Sequence, residues 1–282
     1  MGENLSGKAL ATILREEIKE YTRYLQSQGK DKPCLLSIQV GEDKGSEFYI
    51  NNQKKLSEEL GIEYIKKAFK GDTSEETIIK FIHEANENEN IHGIIVQLPL
   101  PKEINLNKVL STISSEKDVD GQSDANISRL YKNEEGFVPC TAESVLRLVK
   151  TCEPTIEGKK AVVLGRSTIV GKPVAHLLLK ENATVAICHS KSRDLKSICR
   201  EADILVSAIG KPNFVNEDYI KPGAVVIDVG TSSYNGKITG DIDYDKVITT
   251  AGYVTPVPGG VGALTTTILL NNVCKVYRKN AN

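Results

Sequence analysis

The sequence predicts an α/β protein of two domains, each a parallel sheet with helices on its faces. Three observations carry this prediction. Short apolar runs alternate with helical segments along the chain, a glycine turn at Gly165 joins one such run to a helix, and 282 residues are enough for two cores of medium size.

From Ser6 to Gly29 apolar residues recur at helical spacing (Leu10, Ile13, Leu14, Ile18, Tyr21, Leu25), which predicts an amphipathic surface helix, and Gly29 stands where a C-cap glycine ends one. Apolar runs at Leu35–Val40 and Gly93–Leu98 read as strands, separated by polar helical segments near Glu47–Leu60 and Ser74–Glu87. A second alternating block follows Pro139, with strands expected at Ala161–Leu164, Thr184–Cys188, Ile204–Ile209 and Ala224–Val229. Near-continuous apolar runs are what strands covered on both faces require. The polar loop Glu134–Thr141 hands over to a new helix at Ala142–Val149 and marks the domain boundary. The last helix, Leu264–Tyr277, lies beyond the final strand and is expected to return to the first domain. The expected domains are therefore residues 1–140 with 265–282, and residues 141–264.

Lys and Arg number 36 against 37 Asp and Glu, a formal net charge of -1, so no global field draws the chain onto nucleic acid or an anionic membrane. No stretch approaches the roughly 18 to 20 apolar residues that a membrane helix needs. The segment MGENLSGKAL has neither the basic nor the apolar region of a leader, so the protein is expected to stay in the cytoplasm. Six scattered cysteines (Cys34, Cys140, Cys152, Cys188, Cys199, Cys274) form no CxxC pair and have no His at ligand spacing. They read as reduced thiols, with no disulfide and no metal expected.

The segment from Ala161 to Pro173 runs from an apolar strand through Gly165-Arg166-Ser167 into a helix starting near Val170-Gly171. Such a turn points backbone N–H groups at a pyrophosphate. Ser167 replaces the middle glycine of the usual fingerprint, so an ordinary strand-to-helix turn stays open as an alternative. The next strand bears on the cofactor: it ends in His189-Ser190-Lys191-Ser192-Arg193, with no acid before Asp194. A carboxylate there would hold the ribose 2′-OH of NAD and repel a 2′-phosphate, whereas hydroxyls and cations accept one. NADP is favoured, with Arg166 within reach of the same phosphate. Gly210 and Gly230-Thr231, which close the next two apolar runs, complete the expected cofactor set with Gly165, Ser167, Val170, Gly171, Pro173, His189 and Ser190.

Four further segments carry chemistry: Gly45-Ser-Glu-Phe-Tyr49, Gln97-Leu-Pro-Leu-Pro101, Lys117-Asp-Val-Asp120-Gly121 and Thr255-Pro-Val-Pro258-Gly259-Gly260-Val-Gly262. A carboxylate such as Asp120 can accept paired hydrogen bonds from an amino and amide ring edge, though an Asp in a turn also caps its own backbone. Tyr49 could stack on a ligand or sit in the core. The Pro-Gly loop reads as a rigid segment that backbone can bring close to a ligand, or as a plain turn.

With Gly165-Arg-Ser and Val170-Gly-Lys-Pro173, these segments resemble the methylenetetrahydrofolate dehydrogenase/cyclohydrolase family along nearly the whole chain. The resemblance implies an N-terminal α/β folate domain, a C-terminal Rossmann-like NADP domain, a cleft between them, and a homodimer built through the cofactor domains. It implies hydride transfer from methylenetetrahydrofolate to NADP in one-carbon metabolism, followed in bifunctional members by hydrolysis of the methenyl product to formyltetrahydrofolate. Tyr49, Gln53, Gln97 and Asp120 fall at catalytic positions. Tyr49, Gln97, Leu98, Asp120, Pro258, Gly259 and Gly260 fall at substrate-binding ones. Cys140 matches a family position near the cleft, although nothing in its neighbourhood marks a catalytic thiol. Where members usually continue with Pro-Met the chain has Ala263-Leu264, and an aromatic and His-Pro after Asp120-Gly121 are replaced by Gln122-Ser123-Asp124.

Bifunctional members carry Tyr-x-x-x-Lys on the N-terminal helix, the Lys serving the proton transfers of hydrolysis. Here Gln53 stands at that place, four residues after Tyr49 and hence on the same helix face. A carboxamide exchanges no proton near neutral pH, so cyclohydrolase activity is expected to be weak or absent. If instead the helix shifted by one residue, Lys54 would take the position and the chain would be fully bifunctional. Other readings are a dehydrogenase of another small substrate and a non-catalytic NADP sensor. Neither is favoured, since no histidine (His83, His92, His176, His189) has a catalytic context and Asp120 and the Pro-Gly loop are intact.

Overall fold

The computed structural model describes residues 2–234 and 237–280. In chain order the elements are β1 (Glu3–Asn4), α1 (Gly7–Ser27), β2 (Cys34–Val40), α2 (Lys44–Glu59), β3 (Glu63–Phe69), α3 (Glu75–Glu87), β4 (Gly93–Val96), α4 (Leu106–Thr112), α5 (Asp124–Lys132) and α6 (Cys140–Cys152). There follow β5 (Lys160–Leu164), α7 (Gly171–Lys180), β6 (Thr184–Cys188), α8 (Leu195–Arg200), β7 (Ile204–Ser207), β8 (Val225–Asp228), β9 (Ser232–Tyr234), β10 (Lys237–Thr239), α9 (Tyr244–Val247), β11 (Tyr253–Val254) and α10 (Val261–Asn280).

Two compact units result. One takes the amino-terminal segment through Thr12 together with Pro139–Thr265; the other takes Ile13–Val138 and the chain from Thr266 onward. The boundaries expected at 140/141 and 264/265 lie two residues and one residue from these divisions. The amino terminus differs: expected in the folate half, it is tied into the other unit. Its β1 pairs in parallel with β11, Glu3 against Tyr253, and Leu5 N donates to Val254 O at 2.8 Å.

In the unit containing Gln53, the sheet order is β3-β2-β4, all parallel. Alternation divides the strands' side chains. Leu36, Ile38, Val40, Ile94 and Val96 pack with Ile78 and Ile82 of α3 and Val109 of α4. Ser37 and Tyr64 face the other way, as does Gln97 just past β4. Helix α2 starts at Asp43, whose carboxylate accepts from Ser46 N at 2.8 Å, and α3 starts at Ser74, whose hydroxyl accepts from Thr77 N. The strand expected to run to Leu98 stops at Val96, ahead of Pro99, which has no N–H to give a ladder. Edge strand β3 (Glu-Tyr-Ile-Lys-Lys-Ala-Phe) was not foreseen, because its charged, exposed residues interrupt any apolar run.

The other unit holds a parallel sheet in the order β1-β11-β8-β7-β5-β6. From β5 the chain goes outward to β6 and then returns past β5 to β7 and β8, so the order reverses between β5 and β7. Ligands of open α/β sheets lie at such a reversal, outside the carboxyl ends of the strands. Val162, Leu164, Leu205, Val226 and Val254 build its core with Cys199 and Ile242.

Candidate active site

Gln53 lies on α2 with only 6% of its surface exposed, and its carboxamide meets groups from β3 and from the end of β4. Gln97 Nε2 donates to Gln53 Oε1 at 2.8 Å and to Ser37 Oγ at 3.0 Å; Tyr64 OH donates to Gln53 Oε1 at 3.3 Å. Ser37 also hydrogen-bonds Tyr64, which opposes part of the rise that burial imposes on the Tyr64 phenol. The four side chains form a closed ring. Register explains why they meet: Leu35 pairs with Tyr64 on one side of β2 and Ser37 with Ile95 on the other, so Ser37, Tyr64 and Gln97 share the face that α2 covers.

Tyr49, one turn earlier, is 41% exposed. Lys54 is turned to the surface, 4.0 Å from Glu58 of its own helix. The main chain after β4 is fixed to the start of α2, where Ser46 Oγ donates to the Leu98 carbonyl at 2.8 Å.

Asp118 and Asp120 have different surroundings. Asp118 is buried and accepts from Gln122 N, Ser123 N and Asn126 Nδ2, so it holds the start of α5 and belongs to the scaffold. Asp120 is half-buried, and its Oδ2 accepts from Gln122 Nε2 at 2.8 Å. An isolated parallel bridge between Ile94 and Asp118 runs this segment alongside β4, toward the strand end that carries Gln97.

In the other unit the expected cofactor residues gather at the carboxyl ends of β5, β6, β7 and β8. Gly165 has φ +116°, and a Cβ there would lie 2.3 Å from Ala208 O, at the reversal between β5 and β7. Gly171 is as confined: a Cβ would lie 2.3 Å from Gly165 O. Ser167 Oγ accepts from Val170 N at 3.2 Å and Gly171 N at 3.3 Å, fixing the turn into α7. Past β6, His189 N donates to Ser192 Oγ at 2.9 Å, while Ser190, Lys191 and Arg193 are exposed, as is Arg166. Gly210 has φ +65°, and Gly230 packs against Asp241. The Pro258-Gly259-Gly260 loop falls in this unit, past β11, where Gly7 N donates to Gly259 O at 3.0 Å. The expected substrate residues are thus divided between the units, with Tyr49, Gln53, Gln97, Leu98 and Asp120 in one and the Pro-Gly loop in the other.

Two buried carboxylates that sequence reasoning missed shape the cofactor loops. Asp228 accepts from Gly230 N, Asp241 N and Ile242 N; Asp241 accepts from Ser207 Oγ, Ile209 N and Lys211 N. Burial, with Asp241 adding its charge against three opposing N–H donors, raises Asp228 to about 7. The available signal was an acid closing an otherwise apolar strand, Val-Val-Ile-Asp228. Ser37 left a similar trace, a hydroxyl inside Leu-Leu-Ser-Ile. Tyr64 and Gln122 left none. Burial raises Cys34 and Cys199 to about 12 and Cys152 to about 11, and Cys140 is fully buried, so these thiols stay protonated or enclosed near neutrality.

The family model described as tetrahydrofolate dehydrogenase/cyclohydrolase, catalytic domain, matches residues 5–120, and that for the NAD(P)-binding domain matches residues 139–281. A protein of Clostridium novyi named bifunctional protein FolD is 54% identical over 275 residues, 98% of this chain and 99% of the relative. Among solved structures, the bifunctional FolD enzyme of Campylobacter jejuni superposes with a TM-score of 0.96 at 40% identity, over 99% of this chain and 100% of the other. The Trypanosoma brucei dehydrogenase-cyclohydrolase, solved with NADP cofactor and inhibitor, gives 0.95 at 35% identity over 100% and 99%.

Proposed function

The chain belongs to the tetrahydrofolate dehydrogenase/cyclohydrolase family, and we propose that it oxidises methylenetetrahydrofolate with NADP while hydrolysing the methenyl product weakly or not at all. One observation carries the second half: the buried position beside Gln97 is filled by the carboxamide of Gln53. Opening the methenyl cation requires water to add to the bridging carbon and give up a proton, and then a ring nitrogen to leave. A general acid/base accelerates such steps by about a hundredfold to ten-thousandfold. An amide supplies neither role. Hydride transfer depends mainly on alignment of the donor and acceptor carbons, and a neutral Gln53 places no ammonium beside the cation that forms.

The donor set suits NADP. Gly165 and Gly171 leave backbone where side chains would otherwise stand, α7 begins at that turn, and the exposed groups past β6 are hydroxyl and cationic. Bound there, NADP would supply the hydride acceptor. Arg166, Ser190, Lys191 and Arg193 would take the 2′-phosphate, and Gly210, Gly230 and Thr231 would line the crevice. On the substrate side, Asp120 would accept from the pterin amino edge, and Tyr49 and Leu98 would pack on the folate. The exposed Ile187 on edge strand β6 and Leu179 on α7 supply apolar surface for a homodimer through this unit. The scattered, protonated thiols fit a cytoplasmic location.

A fully bifunctional enzyme is the second reading, favoured by the bifunctional names of the relatives. It would need a proton carrier other than Gln53, and Lys54 is the adjacent cation. Following methenyltetrahydrofolate decay separates the two. Slow wild-type decay that Gln53→Lys accelerates supports the proposal; brisk wild-type decay abolished by Lys54→Ala overturns it.

A further inference from the structure

The ring around Gln53 has a direction. Ser37 Oγ accepts from Gln97, and Tyr64 and Gln97 both donate to Gln53 Oε1, at 3.3 and 2.8 Å, so that oxygen is where the donors converge. Two groups are left over. The Gln53 NH2 and the Gln97 carbonyl oxygen have no partner among the described residues, although each residue is only 6% exposed. No partnerless side-chain polar atom among the described residues is wholly buried, so both groups reach solvent at the mouth of the ring. The result is a neutral edge of one donor and one acceptor, side by side.

We infer that Tyr64 is a positioning residue for the redox step: by holding the Gln53 carbonyl inward with Gln97, it turns the Gln53 NH2 and the Gln97 carbonyl toward the folate. The inference rests on the dehydrogenase reading above. Its electrostatic consequence favours oxidation. A carbonyl oxygen presents the negative end of its dipole to the cation formed when hydride leaves the methylene carbon. A Lys at position 53 reverses the setting. An ammonium only donates, so it can accept from neither Tyr64 nor Gln97, and Gln97 must turn its oxygen inward to meet it. The identity of residue 53 therefore decides which end of the Gln97 amide the substrate sees, and Tyr64 donates to residue 53 only when that residue is Gln.

A double-mutant cycle tests this, with Tyr64→Phe made in the wild type and in Gln53→Lys, and dehydrogenase rates measured with methylenetetrahydrofolate and NADP. Loss of one neutral hydrogen bond corresponds to about three- to tenfold. In the wild type, Tyr64→Phe should lower kcat by that factor, leave the KM for NADP unchanged and leave thermal stability nearly so. In Gln53→Lys the same change should have no effect on kcat. Equal effects in the two backgrounds would overturn the inference, since they would mean that Tyr64 is only packing or that both amides are set the other way. No effect in the wild type would overturn it as well. NADPH formation by the wild type from methylenetetrahydrofolate and NADP, followed separately, tests the dehydrogenase reading without involving Tyr64.

Discussion

Asp118 and Asp120 stand two residues apart and have opposite fates. Asp118 is buried and spends its oxygens on the start of α5, whereas Asp120 is half-buried and meets Gln122 Nε2 through its Oδ2. Asp120→Asn should therefore weaken folate use and spare NADP. The amide puts a donor where the pterin amino edge needs an acceptor, raising the KM for methylenetetrahydrofolate roughly tenfold or more for a lost charge-assisted bond. Loss of NADP affinity instead would place Asp120 in the cofactor's chemistry. Arg166 lies exposed in the turn after β5. Arg166→Ala should raise the KM for NADP about ten- to a hundredfold, the worth of one charge-assisted contact to a 2′-phosphate, with much less effect on NAD. Steady-state kinetics with both cofactors check this, and equal rises would refute a role in cofactor choice. At this scale the sequence was informative about kinds of group. Asp120 and Gln53 could be singled out from the motifs that carry the family resemblance, but Gln122 and Tyr64 could not, because a Gln in a loop and a Tyr on an edge strand carry no signal until their partners are known.

The element best foreseen was the β5 turn into α7. Buried parallel strands must be apolar throughout, and the turn after them needs glycine where backbone approaches backbone, so both features appear in the sequence itself. Gly165→Ala should disrupt it doubly. Its φ of +116° costs a residue with a Cβ about 1–3 kcal/mol, and that Cβ would meet Ala208 O at 2.3 Å. Isothermal titration should show NADP binding weakened at least tenfold, along with a lower melting temperature; unchanged binding would separate this turn from the cofactor. Strand β3, the two-residue strands β1 and β11, and the antiparallel pair β9 and β10 were not foreseen. Each is too short or too exposed to produce an apolar run, and each owes its existence to the strand it pairs with.

Across the whole molecule the chain passes between units at Thr12–Ile13, Val138–Pro139 and Thr265–Thr266, so each unit is assembled from separate stretches. The amino-terminal stretch ties down the strand ahead of the Pro-Gly loop. Gly2 N donates to Ile248 O at 2.7 Å, Glu3 N to Gly252 O at 2.7 Å, and Leu5 N to Val254 O at 2.8 Å. Deleting residues 2–5 removes these bonds together with the β1–β11 pairing, each bond worth about 1 kcal/mol net. Hydrogen exchange should then speed up from Gly252 to Gly260 while Leu35–Val40 stays protected; equal loss of protection in both would show that the segment supports the entire fold. The sequence by itself determined the two-domain α/β class, the glycine turn, the lack of an acid after β6, and the helical phase that sets Gln53 beside Tyr49. All of these depend on local periodicity or on residue type. Only the tertiary structure decided that Ser37, Tyr64, Gln53 and Gln97 close into one ring, and that the first dozen residues belong with the cofactor unit. Those contacts join positions such as 53 and 97, which are 44 residues apart, and they exist only in one parallel register. A one-residue slip would turn Ser37 and Tyr64 to opposite faces, so their meeting is a property of the packed sheet and not of any local stretch of chain.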